Sequence, residues 1–416
     1  MDSSTSLVDL GVNARNAARV LALASSASKD DGLRYAADVI EERAPEILDA
    51  NQEDLSVAEG QGVTATAIDR LRLNEARVAS MASGLREVAA LGDPVGEVID
   101  GWVRPNGLRI RRVRVPLGVI GIIYENRPNV TSDAAALCVK SGNAVMLRGS
   151  SSAIRSNQRI ASALREGMSR SGLPADAVSL VEMTTRESAV EFMRMRGVID
   201  CLIPRGGHDL VASVIENATV PYVIDGDGNC HVYVDAAADL DIALEIIVNS
   251  KMQRPSVCNA AESLLVHARV AEEFLPVARS ALAGVELVGD ARSQAILGDI
   301  GQASDDDFAK EFLDLKLSVA VVDDLDSAIE HVNRFGTGHS EAIVTTDIRA
   351  ARRFTQEVDA ACVLVNASTR FVDGGEFGLG AEIGISTQKL HARGPMGLRE
   401  LTCAKFVVEG DGQVRK

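Results

Sequence analysis

The feature that most constrains the fold is a regular alternation of short apolar runs with amphipathic helical stretches, which starts after the first quarter of the chain. Parallel strands need long crossover connections, usually helices, so this alternation predicts a doubly wound α/β domain. Ligands of such domains bind at the carboxyl ends of the strands. The predicted strands of this first block lie at 119–123, 144–147, 178–182, 200–203 and 221–224. A helical pattern follows each of the first four.

A second block of the same kind begins near Cys230 and predicts a second α/β lobe. Its helical stretches include 240–251, 326–335 and 348–358, where apolar residues recur at intervals of three and four. Its predicted strands lie at 231–234, 264–266, 317–322, 342–345 and 361–365.

The part of the chain before these blocks has a different texture. Apolar spacing predicts helices over 14–24, 31–51 and 75–91. Residues 101–115 then alternate apolar and basic side chains, which predicts a half-exposed ribbon. The segment 401–409 also has a strand pattern, and we expect it to pair with the ribbon, within a subunit or between subunits.

Composition excludes several classes of function. With 46% hydrophobic and 25% charged residues in 416, the chain is ordinary for a globular protein of two or more domains. A net charge of −16 argues against nucleic acid, whose phosphates need a basic surface. The N-terminal segment 1–6 lacks a basic start, and the apolar runs are strand-sized, so we expect a cytoplasmic protein without a membrane span. Six cysteines without paired spacing indicate reduced thiols and no metal site.

One cysteine is placed differently from the others. Cys258 lies in a polar turn beside Arg254, between a helical stretch and an apolar strand. A nearby cation stabilises a thiolate and a polar loop admits a ligand, so Cys258 is the candidate nucleophile. Cys230 is its rival, because it follows a glycine-rich segment and precedes His231. The remaining four are expected to be inert packed thiols: Cys138, Cys201, Cys362 and Cys403.

Three loops at predicted strand ends carry further candidates. Asn126 follows the first strand and offers an N–H donor for an oxyanion, although a loop Asn more often bonds its own backbone. The segments 148–152 and 205–208 each combine a cation, a glycine and a helix start, which suits a phosphate. Two such loops indicate a dinucleotide. The helix after Asn126 is expected to be capped at 131–133.

Other tempting features are set aside. The glycine strings at 226–231 and 378–384 lack the spacing of a dinucleotide fingerprint. The histidines have no triad-like spacing, so structural roles are expected for them. A Cys-His hydrolase is therefore weakly supported.

Taken together, the segments resemble the aldehyde dehydrogenase superfamily, and within it the gamma-glutamyl phosphate reductase (glutamate-5-semialdehyde dehydrogenase) family. The resemblance covers nearly the whole chain. It rests on PLGVIGIIYENRP at 116–128, MQRPSVCNAAE at 252–262, EFLD at 311–314 and FGLGAEIGIS at 377–386. It implies an aldehyde dehydrogenase-like α/β fold, with a Rossmann-type cofactor domain, an α/β catalytic domain and a small β oligomerisation element.

The resemblance implies a role for each candidate residue. Cys258 would be the nucleophile and Asn126 the oxyanion donor. The cofactor would contact Arg148, Gly149, Ser150, Arg205, Gly206, Gly207 and Glu311, with Glu311 at the nicotinamide ribose. The substrate would contact Arg127, Arg254, Asn259 and Arg370. We hypothesise that Arg254 binds the leaving phosphate.

The implied reaction is NADPH-dependent reduction of L-glutamyl 5-phosphate to L-glutamate 5-semialdehyde and phosphate through a Cys258 thioester, in proline biosynthesis. Aldehyde-oxidising relatives carry a glutamate that activates water, whereas the matching stretch here holds Asp225 or its glycine neighbours, which favours reduction. The alternatives are an NAD(P)-dependent oxidoreductase for another aldehyde or semialdehyde, and a thiol acyltransferase. The sequence does not decide between NADPH and NADH.

Domain boundaries and partners follow from the same comparison. We expect a homo-oligomer, either dimer or tetramer, and association with glutamate 5-kinase. The expected divisions are a helical lead-in with part of the cofactor domain at 1–100, an oligomerisation ribbon at 101–115, an NADP-binding Rossmann-like domain at 116–228, a catalytic domain at 229–395 and a C-terminal oligomerisation strand at 396–416.

Overall fold

The computed structural model of the protein describes residues 6–415. The prediction drawn from the N-terminal segment 1–6 rests mainly on residues 1–5, which lie outside that range. The chain forms two compact units. The first unit contains the chain up to Ile224, together with Leu379–Gly384 and the C-terminal segment from Met396, and the second contains Asp225–Gly378 and Ile385–Pro395. No helix among residues 6–415 has the length and apolar character needed to cross a membrane.

The first unit contains a helical lead-in, a hairpin and an α/β block. Its elements in the first 224 residues are α1 (Leu7–Leu21), α2 (Ser26–Glu42), α3 (Ala44–Gly60), α4 (Ala65–Leu71), α5 (Glu75–Ala90), β1 (Val98–Val103), β2 (Arg109–Pro116), β3 (Val119–Tyr124), α6 (Asn129–Lys140), β4 (Ala144–Arg148), α7 (Ile154–Arg170), β5 (Val178–Leu180), α8 (Arg186–Met193), β6 (Cys201–Arg205) and α9 (His208–Asn217).

The α/β block is a parallel sheet in the order β5-β4-β3-β6. All six residues of β3 are buried, as expected for a central strand with helices on both faces. The chain runs from β3 to β4 and β5 on one side and then crosses to β6 on the other. A topological switch point therefore lies between β3 and β6. The predicted strand at 221–224 is wrong, because this edge segment makes only one bridge, between Leu202 and Tyr222.

The lead-in differs from its prediction at one point. The single helix expected over 31–51 is two helices, since α2 ends at Glu42 and α3 starts at Ala44. Pro45 lies in the first turn of α3, where no hydrogen bond is lost for want of its N–H. In the interior of one continuous helix, the same proline would break the hydrogen-bond pattern. The segment therefore forms two shorter helices instead of one.

The predicted pairing of ribbon and C-terminus is confirmed within the chain. The last strand, which is β16 in chain order (Thr402–Glu409), runs antiparallel to β2, and β1 pairs along the other edge of β2. Trp102 of β1 and Phe406 of β16 make an edge-to-face contact at 6.4 Å between ring centroids. Both rings are partly exposed.

The second unit is a larger α/β block. Its elements are β7 (Cys230–Val234), α10 (Leu240–Met252), β8 (Ala261–His267), α11 (Ala268–Ala281), β9 (Glu286–Gly289), α12 (Ala291–Leu297), β10 (Gly301–Gln302), α13 (Asp305–Phe308), β11 (Lys316–Val322), α14 (Leu325–Phe335), β12 (Ser340–Val344), α15 (Ile348–Glu357), β13 (Cys362–Val365), β14 (Ile385–Ser386) and β15 (Gly394–Pro395).

Seven of these strands form one parallel sheet in the order β10-β9-β11-β8-β7-β12-β13. Apolar side chains on both faces form the core of the unit, which explains the continuous apolar runs in the sequence. The predicted doubly wound architecture is therefore confirmed for this block. β9 and β10 were not predicted, because they are only four and two residues long.

Candidate active site

Cys258 lies in the turn between α10 and β8, as predicted. Its side chain is half-buried, whereas Cys230 is fully buried in β7. The turn follows the last residue of α10, Met252, and ends where β8 starts at Ala261. Cys258 therefore lies at the amino end of its strand, at an edge of the second unit's sheet.

The backbone at Cys258 is fixed by a neighbouring glycine segment. A side chain at Gly228 would overlap the Cys258 carbonyl group, so only glycine fits there. The Gly228 N–H donates to Glu311 Oε1 at 2.8 Å, and the Cys230 Sγ–H donates to the Cys258 carbonyl oxygen at 3.2 Å. The glycine string that is not a dinucleotide fingerprint thus shapes the turn of the candidate nucleophile.

The rival cysteine is poorly suited to attack a substrate. Burial raises the pKa of Cys230 well above its usual value, and the neighbouring Glu341 carboxylate raises it further. A buried thiol that donates to a carbonyl is a packing group rather than a nucleophile. The geometry therefore favours Cys258.

Two arginines lie near the Cys258 turn. Arg254 is exposed and makes no ion pair or hydrogen bond within residues 6–415. Arg370 is half-buried, and its Nε donates to Gln253 Oε1 at 2.7 Å. Burial lowers the pKa of Arg370, the Arg254 guanidinium lowers it further, and Asp373 and Cys258 oppose the shift. The structure thus brings Arg254, Arg370 and Cys258 together.

Asn259 connects the Cys258 turn to the turn that carries Arg370. It is 5% exposed, and its Nδ2 donates to the Val372 carbonyl oxygen at 2.8 Å. The turn that carries Arg370 is also anchored to α10, because the Thr369 N–H donates to Ser250 Oγ at 3.2 Å. In the structure Asn259 holds the Arg370 turn, while its predicted contact with substrate stays a prediction.

Glu311 and Asp225 also lie in the second unit. Burial raises the pKa of Glu311, the Gly228 N–H opposes this shift, and the carboxylates of Asp227 and Asp225 add to it. Asp225 Oδ1 accepts the Ile385 N–H at 2.7 Å, so this carboxylate is tied to the start of β14.

In the first unit, Asn126 occupies the loop after β3 with a left-handed backbone, at φ 42°. Its Oδ1 accepts hydrogen bonds from Ser152 Oγ at 2.5 Å and from Ser150 Oγ at 3.2 Å. With Oδ1 occupied, the amide orientation is fixed and Nδ2 is the remaining donor. Within residues 6–415, Nδ2 makes no hydrogen bond.

The adjacent strand β4 ends in the other predicted loop. Arg148 Nη2 donates to the carbonyl oxygens of Thr184 and Thr185 at 2.9 and 2.8 Å, and burial lowers the pKa of Arg148. Its Nε is buried without a partner among the described residues. Gly149 is required by packing, because a Cβ there would overlap the Asn157 amide.

The third loop lies beyond the switch point, at the end of β6. Gly207 caps α9, and its N–H donates to Glu125 Oε2 at 3.1 Å. Arg205 accepts the Glu125 N–H through its carbonyl oxygen at 3.1 Å. A protein carboxylate therefore occupies the predicted anion position. Arg127 is half-buried in the same loop as Glu125.

The cap predicted for α6 is wrong. The helix begins at Asn129, after Pro128, and no side chain caps it. Pro128 already has a helical backbone, at φ −56°, so the helix starts two residues before the earliest predicted cap. Thr131 instead pairs its Oγ1 with the buried Tyr124 hydroxyl at 2.6 Å.

Comparison with known proteins assigns the family. The sequence profile described as Aldehyde dehydrogenase family matches residues 8–315 and 317–406. The chain belongs to the aldehyde dehydrogenase family. The predicted resemblance and fold class are both confirmed, and the protein is an oxidoreductase of this family. Members of the aldehyde dehydrogenase family use NAD(P).

Individual relatives make the comparison closer. A gamma-glutamyl phosphate reductase of Clostridium beijerinckii is 55% identical over 411 residues, which cover 98% of this chain and 99% of that protein. A gamma-glutamyl phosphate reductase of Thermotoga maritima has a crystal structure with a TM-score of 0.97 and 49% identity, covering 99% of this chain and 100% of that one. An acetylating aldehyde dehydrogenase of Geobacillus thermoglucosidasius shares the fold at a TM-score of 0.71 and 19% identity, covering 98% and 97% of the two chains.

Sequence reasoning missed several residues around this aldehyde dehydrogenase-type cysteine. Gly228, Lys251 and Glu262 contribute to the surroundings of Cys258, but nothing in their local sequence indicates it. Lys251 Nζ and Glu262 Oε2 form a fully buried ion pair at 2.6 Å. The resemblance marked Glu262 only as part of the cysteine segment. Such contacts depend on long-range packing rather than on local spacing.

The buried histidines of the second unit should make the protein acid-sensitive. Burial lowers the pKa of His339 from 6.5 to about 4 and that of His331 to about 3. Between pH 6.5 and 4 the unfolded chain therefore binds more protons than the folded one. As the pH is lowered, the free energy of unfolding should decrease by about 1.4 kcal/mol per pH unit for each histidine. Denaturant titrations across this range measure the slope.

A matched pair of variants assigns that slope. His331→Gln should reduce it, whereas His208→Asn should leave it unchanged, because the His208 side chain is 81% exposed. An identical slope in wild type and His331→Gln would contradict the assignment.

Proposed function

We propose that the protein reduces L-glutamyl 5-phosphate to L-glutamate 5-semialdehyde and phosphate with NADPH, in proline biosynthesis. The observation that carries the proposal is the half-buried Cys258 thiol beside Arg254 and Arg370, in a chain 55% identical to a protein named gamma-glutamyl phosphate reductase. A nucleophile next to two guanidinium groups suits a substrate that carries both an acyl carbon and anionic groups.

The first half of the reaction belongs to Cys258. Its thiolate attacks the acyl carbon, the C–O bond to phosphate breaks, and an S–C bond forms. Phosphate leaves with the electron pair of the broken bond, next to the cationic Arg254. Arg370 and Arg127 are proposed for the remaining anionic groups of the substrate, and Asn259 for support of the substrate site.

The second half of the reaction reduces the thioester to the aldehyde. A bound NADPH supplies the hydride that reduces the thioester carbonyl. The resulting thiohemiacetal oxygen is negative, and Asn126 is proposed to donate its Nδ2–H to this oxygen and to that of the first step. Release of the Cys258 thiolate then yields the aldehyde. No water is activated in this sequence, and Asp225 Oδ1 accepts the Ile385 N–H.

The first unit fits a dinucleotide. Its parallel sheet has a switch point beside the loops of Asn126 and Arg205, where open α/β sheets bind nucleotides. Arg148, with an unpartnered buried Nε, and the loops at 149–150 and 206–207 are proposed to hold the cofactor. The Gly207 N–H would bind pyrophosphate only after its hydrogen bond to Glu125 Oε2 breaks. Glu311 is proposed to bind the nicotinamide ribose.

The wider arrangement is proposed on the same grounds. Residues 116–228 would form the NADP-binding domain, with 1–100 as its helical lead-in, and 229–395 the catalytic domain. The ribbon at 101–115 and the segment 396–416 would join subunits into a dimer or tetramer, since their sheet exposes Trp102 and Phe406. A cytoplasmic location and association with glutamate 5-kinase complete the proposal.

The substitution Arg254→Ala tests the phosphate site. Turnover of the acyl phosphate should fall by about tenfold to a hundredfold, because a charge-assisted contact to the leaving group is lost. Turnover of a neutral thioester analogue should fall by less than about threefold. Steady-state kinetics with both substrates measure the two losses. An equal loss on both would contradict the role of Arg254.

The reverse reaction tests the function as a whole. Glutamate 5-semialdehyde should reduce more than one equivalent of NADP⁺ per Cys258 only when phosphate is present, with a weaker reaction for NAD⁺. Continuing turnover of NADP⁺ without phosphate would favour an aldehyde oxidoreductase. Acyl transfer without any change in the nicotinamide would favour a thiol acyltransferase.

A further inference from the structure

A buried ion pair brackets the turn that carries Cys258. Lys251 lies in the last turn of α10, seven residues before Cys258, and Glu262 is the second residue of β8, four residues after it. Lys251 Nζ and Glu262 Oε2 are 2.6 Å apart, and both side chains are fully buried. The pair therefore joins the two ends of the nucleophile turn at its base.

The second carboxylate oxygen of Glu262 reaches a strained segment. Glu262 Oε1 accepts the Leu313 N–H at 3.1 Å. Leu313 has a left-handed backbone, at φ 54°, which is strained for a residue with a Cβ. Leu313 is 37% exposed, so packing alone does not hold this conformation. The hydrogen bond that the Leu313 N–H donates to Glu262 offsets the strain.

The strained segment leads directly to Glu311. Glu311 Oε1 accepts the Gly228 N–H at 2.8 Å, and Gly228 is packed against the Cys258 carbonyl. The contacts form a closed circuit from Glu262 through Leu313, Glu311 and Gly228 back to the cysteine turn. A change at Glu262 is therefore expected to alter the position of Glu311 relative to Cys258.

We infer that Lys251 and Glu262 are positioning residues, which hold the Glu311 segment against the Cys258 turn so that cofactor and thioester are aligned. This inference rests on the proposed function of Glu311 at the nicotinamide ribose. Neither residue contacts the reacting atoms in this role.

The energetics support a positioning role over a stabilising one. Removing two charges from water costs more than a typical ion pair returns, and apolar replacement of such pairs is often neutral. Burial raises the pKa of Glu262 to about 7 and lowers that of Lys251, so both groups are pushed toward their neutral forms. What the pair adds is a fixed acceptor for the Leu313 N–H.

The test compares replacements that keep or remove this acceptor. Lys251→Met/Glu262→Met removes both charges and the acceptor, and should raise the NADPH dissociation constant and lower kcat by about tenfold each. Lys251→Met/Glu262→Gln keeps an acceptor oxygen and should stay within about threefold of wild type. NADPH binding is measured by fluorescence titration without substrate, in protein whose folding is checked by thermal unfolding.

A rescue variant separates positioning from general damage. Adding Leu313→Gly to Lys251→Met/Glu262→Met removes the strain that Glu262 offsets, because glycine tolerates positive φ. NADPH affinity should then return to within about threefold of wild type. If the Met/Met variant does not fold, Glu262→Asp keeps the charge but shortens the reach. It should weaken NADPH binding severalfold, again with rescue by Leu313→Gly.

A matched ion pair serves as the control. Lys29 and Asp93 in the first unit are also 2.6 Å apart and largely buried. Lys29→Met/Asp93→Met should leave the NADPH dissociation constant unchanged. Unchanged NADPH binding in the folded Met/Met variant, equal weakening in the control, or failure of the rescue would each overturn the inference. Failure of the proposed function would appear separately, as absence of phosphate-dependent NADP⁺ reduction by the wild type.

Discussion

Replacing Cys258 with alanine should lower the rate of phosphate-dependent NADP⁺ reduction by about 10⁴-fold or more. Without the thiol no thioester forms, and loss of a nucleophile in covalent catalysis has effects of this size. NADPH binding should stay within about threefold of wild type, because the variant removes only one sulfur atom from a half-buried turn. Steady-state assay and fluorescence titration give the two values.

Two other cysteines are the controls for this experiment. Cys403 is exposed in β16, so Cys403→Ala should retain full activity. Cys230→Ala removes the S–H donor to the Cys258 carbonyl and should cost less than about tenfold. Activity that persists in Cys258→Ala, or disappears in Cys230→Ala, would contradict the assignment of the nucleophile.

The second large effect is expected at Asn126. Asn126→Gly should lower kcat by about 10²–10³-fold, the usual cost of one oxyanion donor, with little change in KM. Glycine is the suitable replacement because it accepts the left-handed backbone at this position, so lost activity is not due to strain. Stopped-flow measurement of hydride transfer shows whether the chemical step is slowed.

Variants near Asn126 test its orientation. Ser152→Ala removes the shorter of the two hydrogen bonds to Oδ1 and should lower kcat severalfold. Asn129→Ala should have no effect, because within residues 6–415 the Asn129 side-chain amide donates only to Asp133 Oδ2, on the same helix. A rise in KM at unchanged kcat for Asn126→Gly would assign Asn126 to substrate binding instead.

Much of the fold follows from local sequence. The strands at 119–123 and 144–147 are apolar without interruption, and only strands buried on both faces have that pattern. The pairing of β16 with the ribbon was predictable because both segments alternate and are separate from the α/β blocks. Where a single residue overrides periodicity, as Pro45 does between α2 and α3, a pattern read over a long window fails.

The candidate site was predictable to a smaller extent. Loops after β3, β4 and β6 meet because parallel neighbouring strands end at one edge, and the bond between Asn126 and Ser150 is one consequence. In the second unit the candidate residues do not follow the carboxyl ends of strands, because Cys258 precedes β8 and Glu311 precedes β11. The contacts of Glu262 with Lys251 and Leu313 join residues from separate elements, and no local pattern encodes them.

The most direct test of the account is mass spectrometry of the protein mixed with glutamate 5-semialdehyde and NADP⁺ in the absence of phosphate. Under these conditions a glutamyl group should accumulate as a thioester on the peptide that contains Cys258, and addition of phosphate should remove it. An adduct on another residue, or NADP⁺ reduction on phosphate addition without any adduct on Cys258, would contradict the covalent mechanism.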